Sequence, residues 1–129
     1  MTAAVSLSFN PRLLLLGLDP GTAHALQQAL PHHSTTLSSL IPTDAASFLA
    51  ILKQSQPDVL FCPARHRHLK EILERASAQR LPVVVVTRDP DPREWIDAMD
   101  AGAADYVATP FHRDQIEWVL QSSLLQPPC

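Results

Sequence analysis

The stretch from Leu81 to Phe111 constrains the fold more than any other part of the chain, because it contains an apolar strand, a helix and a second strand with clear boundaries. Its first strand is a run of valines, Val83 to Val86, without polar alternation. Such a run is typical of a parallel strand that helices cover on both faces. Asp91 before Pro92 provides a helix N-cap and a first-turn proline, and Gly102 provides the stop.

The rest of the chain repeats this alternation of strand and helix. Strands are predicted at Arg12 to Leu16, Ser34 to Leu40, Val59 to Cys62, Val83 to Val86 and Tyr106 to Ala108. Inward helix faces are predicted at Leu26, Ala29 and Leu30, at Ala45, Phe48, Leu49 and Leu52, at Leu69, Ile72, Leu73 and Ala76, and, in a last helix from His112 to Leu125, at Ile116, Val119, Leu120 and Ser123. Short connections between alternating strands and helices imply right-handed crossovers. The predicted fold class is therefore α/β, with a doubly wound, five-stranded parallel sheet and five helices.

Length and patterning predict a single domain. The chain has 129 residues, which is enough for a self-sufficient core. Residues 1–10 show no periodicity and are expected to form a flexible arm, followed by the domain at 11–126 and a tail at 127–129.

Charge and apolar run length exclude several classes of protein. A formal net charge of -3, without a basic face, argues against direct DNA binding. The longest apolar runs are far shorter than the ~20 residues of a membrane helix, so we expect a cytoplasmic protein that makes no membrane contact. Cys62, inside a strand, and Cys129, at the last position, are poorly placed for a disulfide and are expected to be reduced.

Four segments carry a resemblance to a known family. They are PDVLF at residues 57–61, LPVVVVT at 81–87, AGAADYV at 101–107 and TPF at 109–111. Each is weak alone, but in this order the chain from Arg12 to Leu125 resembles the receiver domain of bacterial two-component response regulators, the CheY-like domains. The resemblance implies a flavodoxin-like fold with strand order 2-1-3-4-5.

Receivers accept a phosphoryl group from a histidine kinase, and the resemblance implies where that chemistry would lie. It needs a carboxylate acceptor, an acidic pair for Mg²⁺, a hydroxyl and a lysine. Residue by residue, the acidic pair falls on Gly17 and Leu18, the acceptor on Pro63, the hydroxyl on Thr87 and the lysine on Thr109. Only the hydroxyl is present. The resemblance therefore implies a degenerate receiver, or pseudo-receiver, with no catalytic residue, no metal and no cofactor.

Three other residues do not replace the missing groups. Asp19 is the single carboxylate close to the absent pair, but one hard ligand rarely holds Mg²⁺ without other oxygens, and a helix-capping role is preferred. Asp58 lies at the opposite end of the third strand from the acceptor position. The thiol of Cys62 does not substitute for an acceptor carboxylate.

Two alternative functions remain open at this point. The loop Ala64 to His68 contains two arginines and two histidines, so with Thr87 and Thr109 it could bind a small anion or nucleotide in the former phosphoryl pocket. It lacks the Gly-rich loop typical of phosphate binding, and a solvated basic loop is the preferred interpretation. The other alternative, a conventional phosphorylated response regulator, is opposed by Pro63.

Aromatic residues in the second half of the chain indicate a protein partner. Thr87 and Tyr106 correspond to the family's switch pair. Trp118 and Leu125 point outward from the last helix, and Trp95 belongs to the fourth helix. We expect the partner to be a histidine kinase or output protein, or a second copy bound through the face of the fourth helix, fifth strand and fifth helix. The isomer of the Thr109–Pro110 bond is left open.

Overall fold

The computed structural model describes residues 10–124, and strands and helices alternate throughout them. The elements are β1 (Arg12–Leu16), α1 (Pro20–Ala29), β2 (Thr35–Ser39), α2 (Ala45–Ser55), β3 (Val59–Pro63), α3 (Leu69–Ala78), β4 (Val83–Thr87), α4 (Pro92–Asp100), β5 (Asp105–Ala108) and α5 (Arg113–Leu124). Most of the predicted arm, all of the predicted tail, Leu125 and Cys129 lie outside the described residues.

The strands form one parallel sheet, as the sequence pattern predicts, in the order β2-β1-β3-β4-β5 that the resemblance to receiver domains implies. Side chains alternate between the two faces of each strand. Leu13 and Leu15 of β1 pack with α1 and α5 on one face, whereas Leu14 and Leu16 pack with α2, α3 and α4 on the other. The valine strand β4 is buried along its whole length, which explains why its sequence shows no polar alternation.

Helix starts follow the capping signals in the sequence. The carboxylate of Asp19 accepts a hydrogen bond from the N–H of Thr22, and Asp44 accepts one from the N–H of Ser47. Asp91 caps α4 in the same way. These bonds satisfy amide donors that have no partner within the first helical turn.

The predicted inward face of α2 is partly wrong. Phe48 and Ser55 are buried and Leu52 packs against the core, but Ala45 is exposed and Leu49 is 39% exposed. Helix α2 has so many apolar residues that its sequence is compatible with more than one buried face. In the folded chain, the face that contains Phe48 and Ser55 is buried against the core. The buried hydroxyl of Ser55 is satisfied because it donates to the carbonyl oxygen of Ile51, 2.6 Å away.

The other differences from the predicted elements are small. Strand β2 is shorter than predicted at both ends, β3 extends to Pro63, β5 begins at Asp105, and α5 begins at Arg113. Within residues 10–124, every helix falls short of the length and apolar character that a membrane span needs.

Candidate functional site

A cavity of about 180 Å³ opens beyond the carboxyl ends of β1, β3 and β4. This edge is where parallel α/β sheets generally place a working site, because neighbouring connections leave the sheet there toward opposite faces. The cavity is lined by Leu18, Asp19, Thr22, Pro63, Ala64, Arg65, Val86, Thr87, Arg88 and Asp89. Helix α1 and the loops after β3 and β4 thus form its walls.

The structure brings three of the five predicted site positions into this cavity. Leu18, Pro63 and Thr87 line it together, whereas Gly17 and Thr109 are not among the described residues that line it. Gly17 adopts φ +70° and donates its N–H to the carbonyl oxygen of Ser39, 2.8 Å away. Thr109 donates its N–H to the carbonyl oxygen of Thr87, and the Thr109–Pro110 peptide bond is cis.

Arg88, which the sequence analysis does not include in the site, forms an ion pair with Asp19. The Nη2 of Arg88 lies 2.7 Å from Oδ2 of Asp19, and its Nε donates to Oγ1 of Thr22 at 3.0 Å. The Thr22 hydroxyl in turn donates to Oδ1 of Asp19 at 2.6 Å. The hydrogen bonds from Thr22, reinforced by the charge of Arg88, lower the pKa of Asp19. Asp19 therefore caps α1 and also anchors the loop after β4.

A glycine in α1 makes room for this pair. A Cβ at Gly21 would collide with Nη2 of Arg88. The guanidinium of Arg88 therefore packs against bare helical backbone, and a larger residue at position 21 would displace it.

The Thr87 hydroxyl is satisfied by the backbone of its own loop. Oγ1 of Thr87 accepts a hydrogen bond from the N–H of Asp89 at 3.1 Å and donates to the carbonyl oxygen of Asp89 at 3.3 Å. The residue is buried at the end of β4. These contacts match the structural role that strand-end hydroxyls commonly have.

A second network joins the loop after β3, the start of α4 and strand β5. Nε of Arg65 donates to Oε2 of Glu94 at 2.6 Å, and the hydroxyl of Tyr106 donates to Oε1 of Glu94 at 3.2 Å. The Tyr106 oxygen also accepts a hydrogen bond from the N–H of Asp91. The hydrogen bond to Glu94 raises the pKa of Arg65, and burial, followed by the nearby Glu94, raises the pKa of Tyr106. The start of α4 is thereby bonded to the loop after β3 and to strand β5.

The remaining side chains of the basic loop do not join the cavity. Arg65 lines it, but Arg67, His66 and His68 do not. Nδ1 of His66 accepts a hydrogen bond from the N–H of His68, and burial lowers the pKa of His66. Within residues 10–124, no group of three or more His, Cys, Asp or Glu residues is arranged to hold a metal ion.

Asp58 and Cys62 lie where the sequence places them along β3. Oδ2 of Asp58 accepts a hydrogen bond from the N–H of Arg12 at the amino end of the sheet, far from the cavity. Cys62 is fully buried as a free thiol, and burial raises its pKa to about 12. The thiol therefore stays protonated at neutral pH.

This pKa predicts a slow reaction of Cys62 with thiol reagents. Because the thiolate is the reactive form, native protein carrying Cys129→Ser is expected to resist alkylation at pH 8 and to be modified rapidly in denaturant. Intact mass after iodoacetamide treatment measures both states. Rapid labelling of the native variant at pH 8 would contradict the buried, neutral thiol.

Comparison with known proteins bears on the fold. No protein-family model matches the sequence, and no curated protein matches it. Among solved structures, a CheY-like protein, tadZ, from Pseudomonas aeruginosa superposes with a TM-score of 0.75 at 22% identity, over 88% of this chain and 99% of that one. The chain has the fold of a response regulator receiver domain.

Other structures with the receiver fold agree. The signal receiver domain of NarL from Mycobacterium tuberculosis superposes with a TM-score of 0.67 at 19% identity, over 92% of this chain and 99% of that one. A response regulator from Thermotoga maritima gives a TM-score of 0.67 at 19% identity, over 92% of this chain and 100% of that one. On the receiver fold, the cavity beside Pro63 and Thr87 occupies the edge of the sheet at which the resemblance locates phosphorylation.

Proposed function

We propose that this chain is a pseudo-receiver, a cytoplasmic signalling module that binds a protein partner and does not accept a phosphoryl group on an aspartate. The observation that carries the proposal is the composition of the cavity beyond β1, β3 and β4. Pro63 and Leu18 line it at the positions of the acceptor and of one member of the acidic pair, and its Asp19 is paired with Arg88.

The chemistry of these side chains supports the absence of phosphotransfer. Pro63 has no side-chain oxygen that could attack phosphorus, so the covalent intermediate of a receiver has no place to form. Gly17 and Leu18 offer no charge to Mg²⁺, which prefers oxygen ligands and usually takes one or two carboxylates. The carboxylate of Asp19 already accepts two hydrogen bonds from Thr22 and forms an ion pair with Arg88. A metal ion that bound Asp19 would therefore have to displace the guanidinium of Arg88.

The loops around the cavity are held by internal bonds. Thr87 bonds to the backbone of Asp89, Arg88 bonds to α1, and Tyr106 bonds to the start of α4. In a working receiver these elements must respond to a phosphoryl group. Here their hydrogen-bonding groups already have partners within the protein, which supports a single conformation of the signalling surface.

The same contacts give less support to an anion or nucleotide in this cavity. Arg88 is paired with Asp19, and Arg65 is paired with Glu94 and lies 3.8 Å from Asp89. An anion would have to break these pairs and approach the carboxylates that remain. No observation at the cavity favours that function over the pseudo-receiver.

Exposed tryptophans support a partner surface on the face of α4, β5 and α5. Trp118 of α5 is 66% exposed and Trp95 of α4 is 49% exposed. Ile96 and Met99, one and four residues after Trp95, are also exposed on α4. Large apolar side chains grouped on a helix in this way are typical of binding surfaces, where aromatic residues supply most of the affinity. The partner is a histidine kinase, an output protein or a second copy of this chain.

Truncation of these tryptophans tests the surface. We expect Trp118→Ala and Trp95→Ala each to weaken self-association about tenfold or more. Truncating a buried aromatic residue at the centre of an interface commonly costs about 2 kcal/mol or more of binding free energy. Sedimentation velocity over a range of concentrations measures the effect.

The matched control is Leu49→Ala, which removes an exposed apolar side chain from α2 instead. It should leave the sedimentation profile unchanged. Self-association that is equally strong in both tryptophan variants and in the control would rule out this face as the dimer contact.

A further inference from the structure

A second cavity, of about 300 Å³, lies at the opposite edge of the sheet from the candidate site. It opens beside the amino ends of β3 and β4, where α2 and α3 end. Its lining consists of Leu52, Gln56, Pro57, Asp58, Gln79, Arg80 and Leu81. The volume is at the lower end of the range for small-molecule sites.

Two polar residues at this cavity occupy backbone conformations that favour glycine. Gln56 has φ +45° and Arg80 has φ +57°, and they are the two non-glycine residues with positive φ in residues 10–124. Each sits at the left-handed position that closes a helix. The N–H of Gln56 donates to the carbonyl oxygen of Leu52, and the N–H of Leu81 donates to that of Ala76, the pattern that follows a left-handed residue at position 80.

Glycine would adopt both conformations more easily, since a Cβ is disfavoured there. The chain instead carries a long polar side chain at each position, and both residues line the same cavity. Backbone strain at two residues that share a cavity points to a role for their side chains.

The cavity also presents opposite charges that are not paired with each other. Arg80 forms no ion pair with any residue in the described range, so its guanidinium is available to a ligand. Asp58 is half-buried and accepts a backbone hydrogen bond from Arg12 through Oδ2. Leu52 and Leu81 add partly buried apolar surface. The lining thus offers a cation, an anion and a small apolar surface in one open depression.

We propose that this cavity binds a free α-amino acid with an apolar side chain. The guanidinium of Arg80 binds the α-carboxylate through paired N–H groups, a geometry that arginine favours. The carboxylate of Asp58 binds the α-ammonium, and the ligand side chain packs against Leu52 and Leu81. The amides of Gln56 and Gln79 supply additional hydrogen bonds at the rim. This site is independent of the pseudo-receiver proposal.

Glycine variants of the full chain test the site without the ambiguity of misfolding. Arg80→Gly relieves the left-handed strain, so its thermal midpoint is expected to rise, while its affinity for L-leucine is expected to fall about tenfold or more because a charged hydrogen-bond partner is lost. Gln56→Gly should also raise the midpoint and weaken binding to a smaller extent. Isothermal titration with L-leucine, preceded by a thermal-shift screen of the standard L-amino acids, measures binding.

Analogues and a distant variant provide the controls. 4-Methylpentanoate lacks the ammonium group and 3-methylbutylamine lacks the carboxylate, so both should bind about tenfold more weakly than L-leucine or worse. Arg67→Ala, which removes an exposed arginine outside the cavity, should bind L-leucine as the unmodified chain does. Failure of every amino acid in the screen to bind, or equal binding by Arg80→Gly and the unmodified chain, would overturn the proposal.

Discussion

Replacing Phe61 by alanine is expected to lower the free energy of unfolding by about 3–5 kcal/mol. Phe61 is on the central strand β3, is 0% exposed, and belongs to the apolar cluster beneath α1 and α5. Truncation removes its apolar contacts and leaves a cavity between elements that cannot fully close around it, because the neighbouring strands hold the sheet spacing. Urea unfolding followed by circular dichroism measures the change from the midpoint and slope.

The comparison for Phe61 is Leu40→Ala, since Leu40 is 86% exposed just beyond the end of β2. Its substitution should change the free energy of unfolding by less than about 0.5 kcal/mol. Equal effects of the two substitutions would contradict a sheet that is covered on both faces and closed around Phe61.

The second large effect is expected from placing an acidic side chain at position 17. Gly17→Asp should lower the free energy of unfolding by about 1–3 kcal/mol, because a residue with a side chain is strained at φ +70°. In addition, a Cβ at Gly17 would lie 2.5 Å from two carbons of the Ile41 side chain, which would have to move. The backbone and the packing at position 17 therefore oppose an acidic side chain there.

A double-mutant cycle separates the two causes at position 17. In an Ile41→Ala background the steric conflict is absent, so Gly17→Asp should cost less than it does in the unmodified chain. The remaining cost reports the backbone strain. If the cost is the same in both backgrounds, packing against Ile41 does not exclude the acid.

The fold follows from the sequence because its signals are local and agree with one another. The valine strand, the aspartate caps and the helical stripes each define an element, and short connections allow few topologies. The sequence is less informative where apolar residues are abundant, as in α2, because the stripe that faces the sheet depends on tertiary contact with neighbouring elements. For this reason the sequence pattern predicts that Leu49 faces the core, whereas its side chain is exposed in the structure.

The site was only partly accessible from the sequence. Leu18, Pro63 and Thr87 are the positions that the resemblance to receiver domains implies, and the structure brings them together at one edge of the sheet. Arg88 was missed because it pairs with Asp19 across 69 residues, and no local pattern records such a contact. Adjacency of Arg88 to Thr87 at the end of a strand is the one signal that could have drawn attention to it.

The network around Tyr106 was missed for a similar reason. Glu94 lies in the first turn of α4, where an acidic side chain stabilises the helix dipole. This local role already explains a glutamate at position 94, so the sequence gives no sign of further partners. Its bonds to Arg65 and Tyr106 depend on how α4, β5 and the loop after β3 come together in the folded chain. Sequence reasoning identified Tyr106 as a possible switch but not the groups that hold it.

The central claim is that the chain accepts no phosphoryl group on an aspartate, and intact mass spectrometry tests it most directly. The protein is incubated with Mg²⁺ and a small acyl phosphate, with a conventional receiver domain in the same reaction as the positive control. We expect the conventional receiver to gain the mass of one phosphoryl group and to lose it in acid, whereas this chain should show no such adduct. An acid-labile phosphoryl adduct on this chain would contradict the pseudo-receiver assignment.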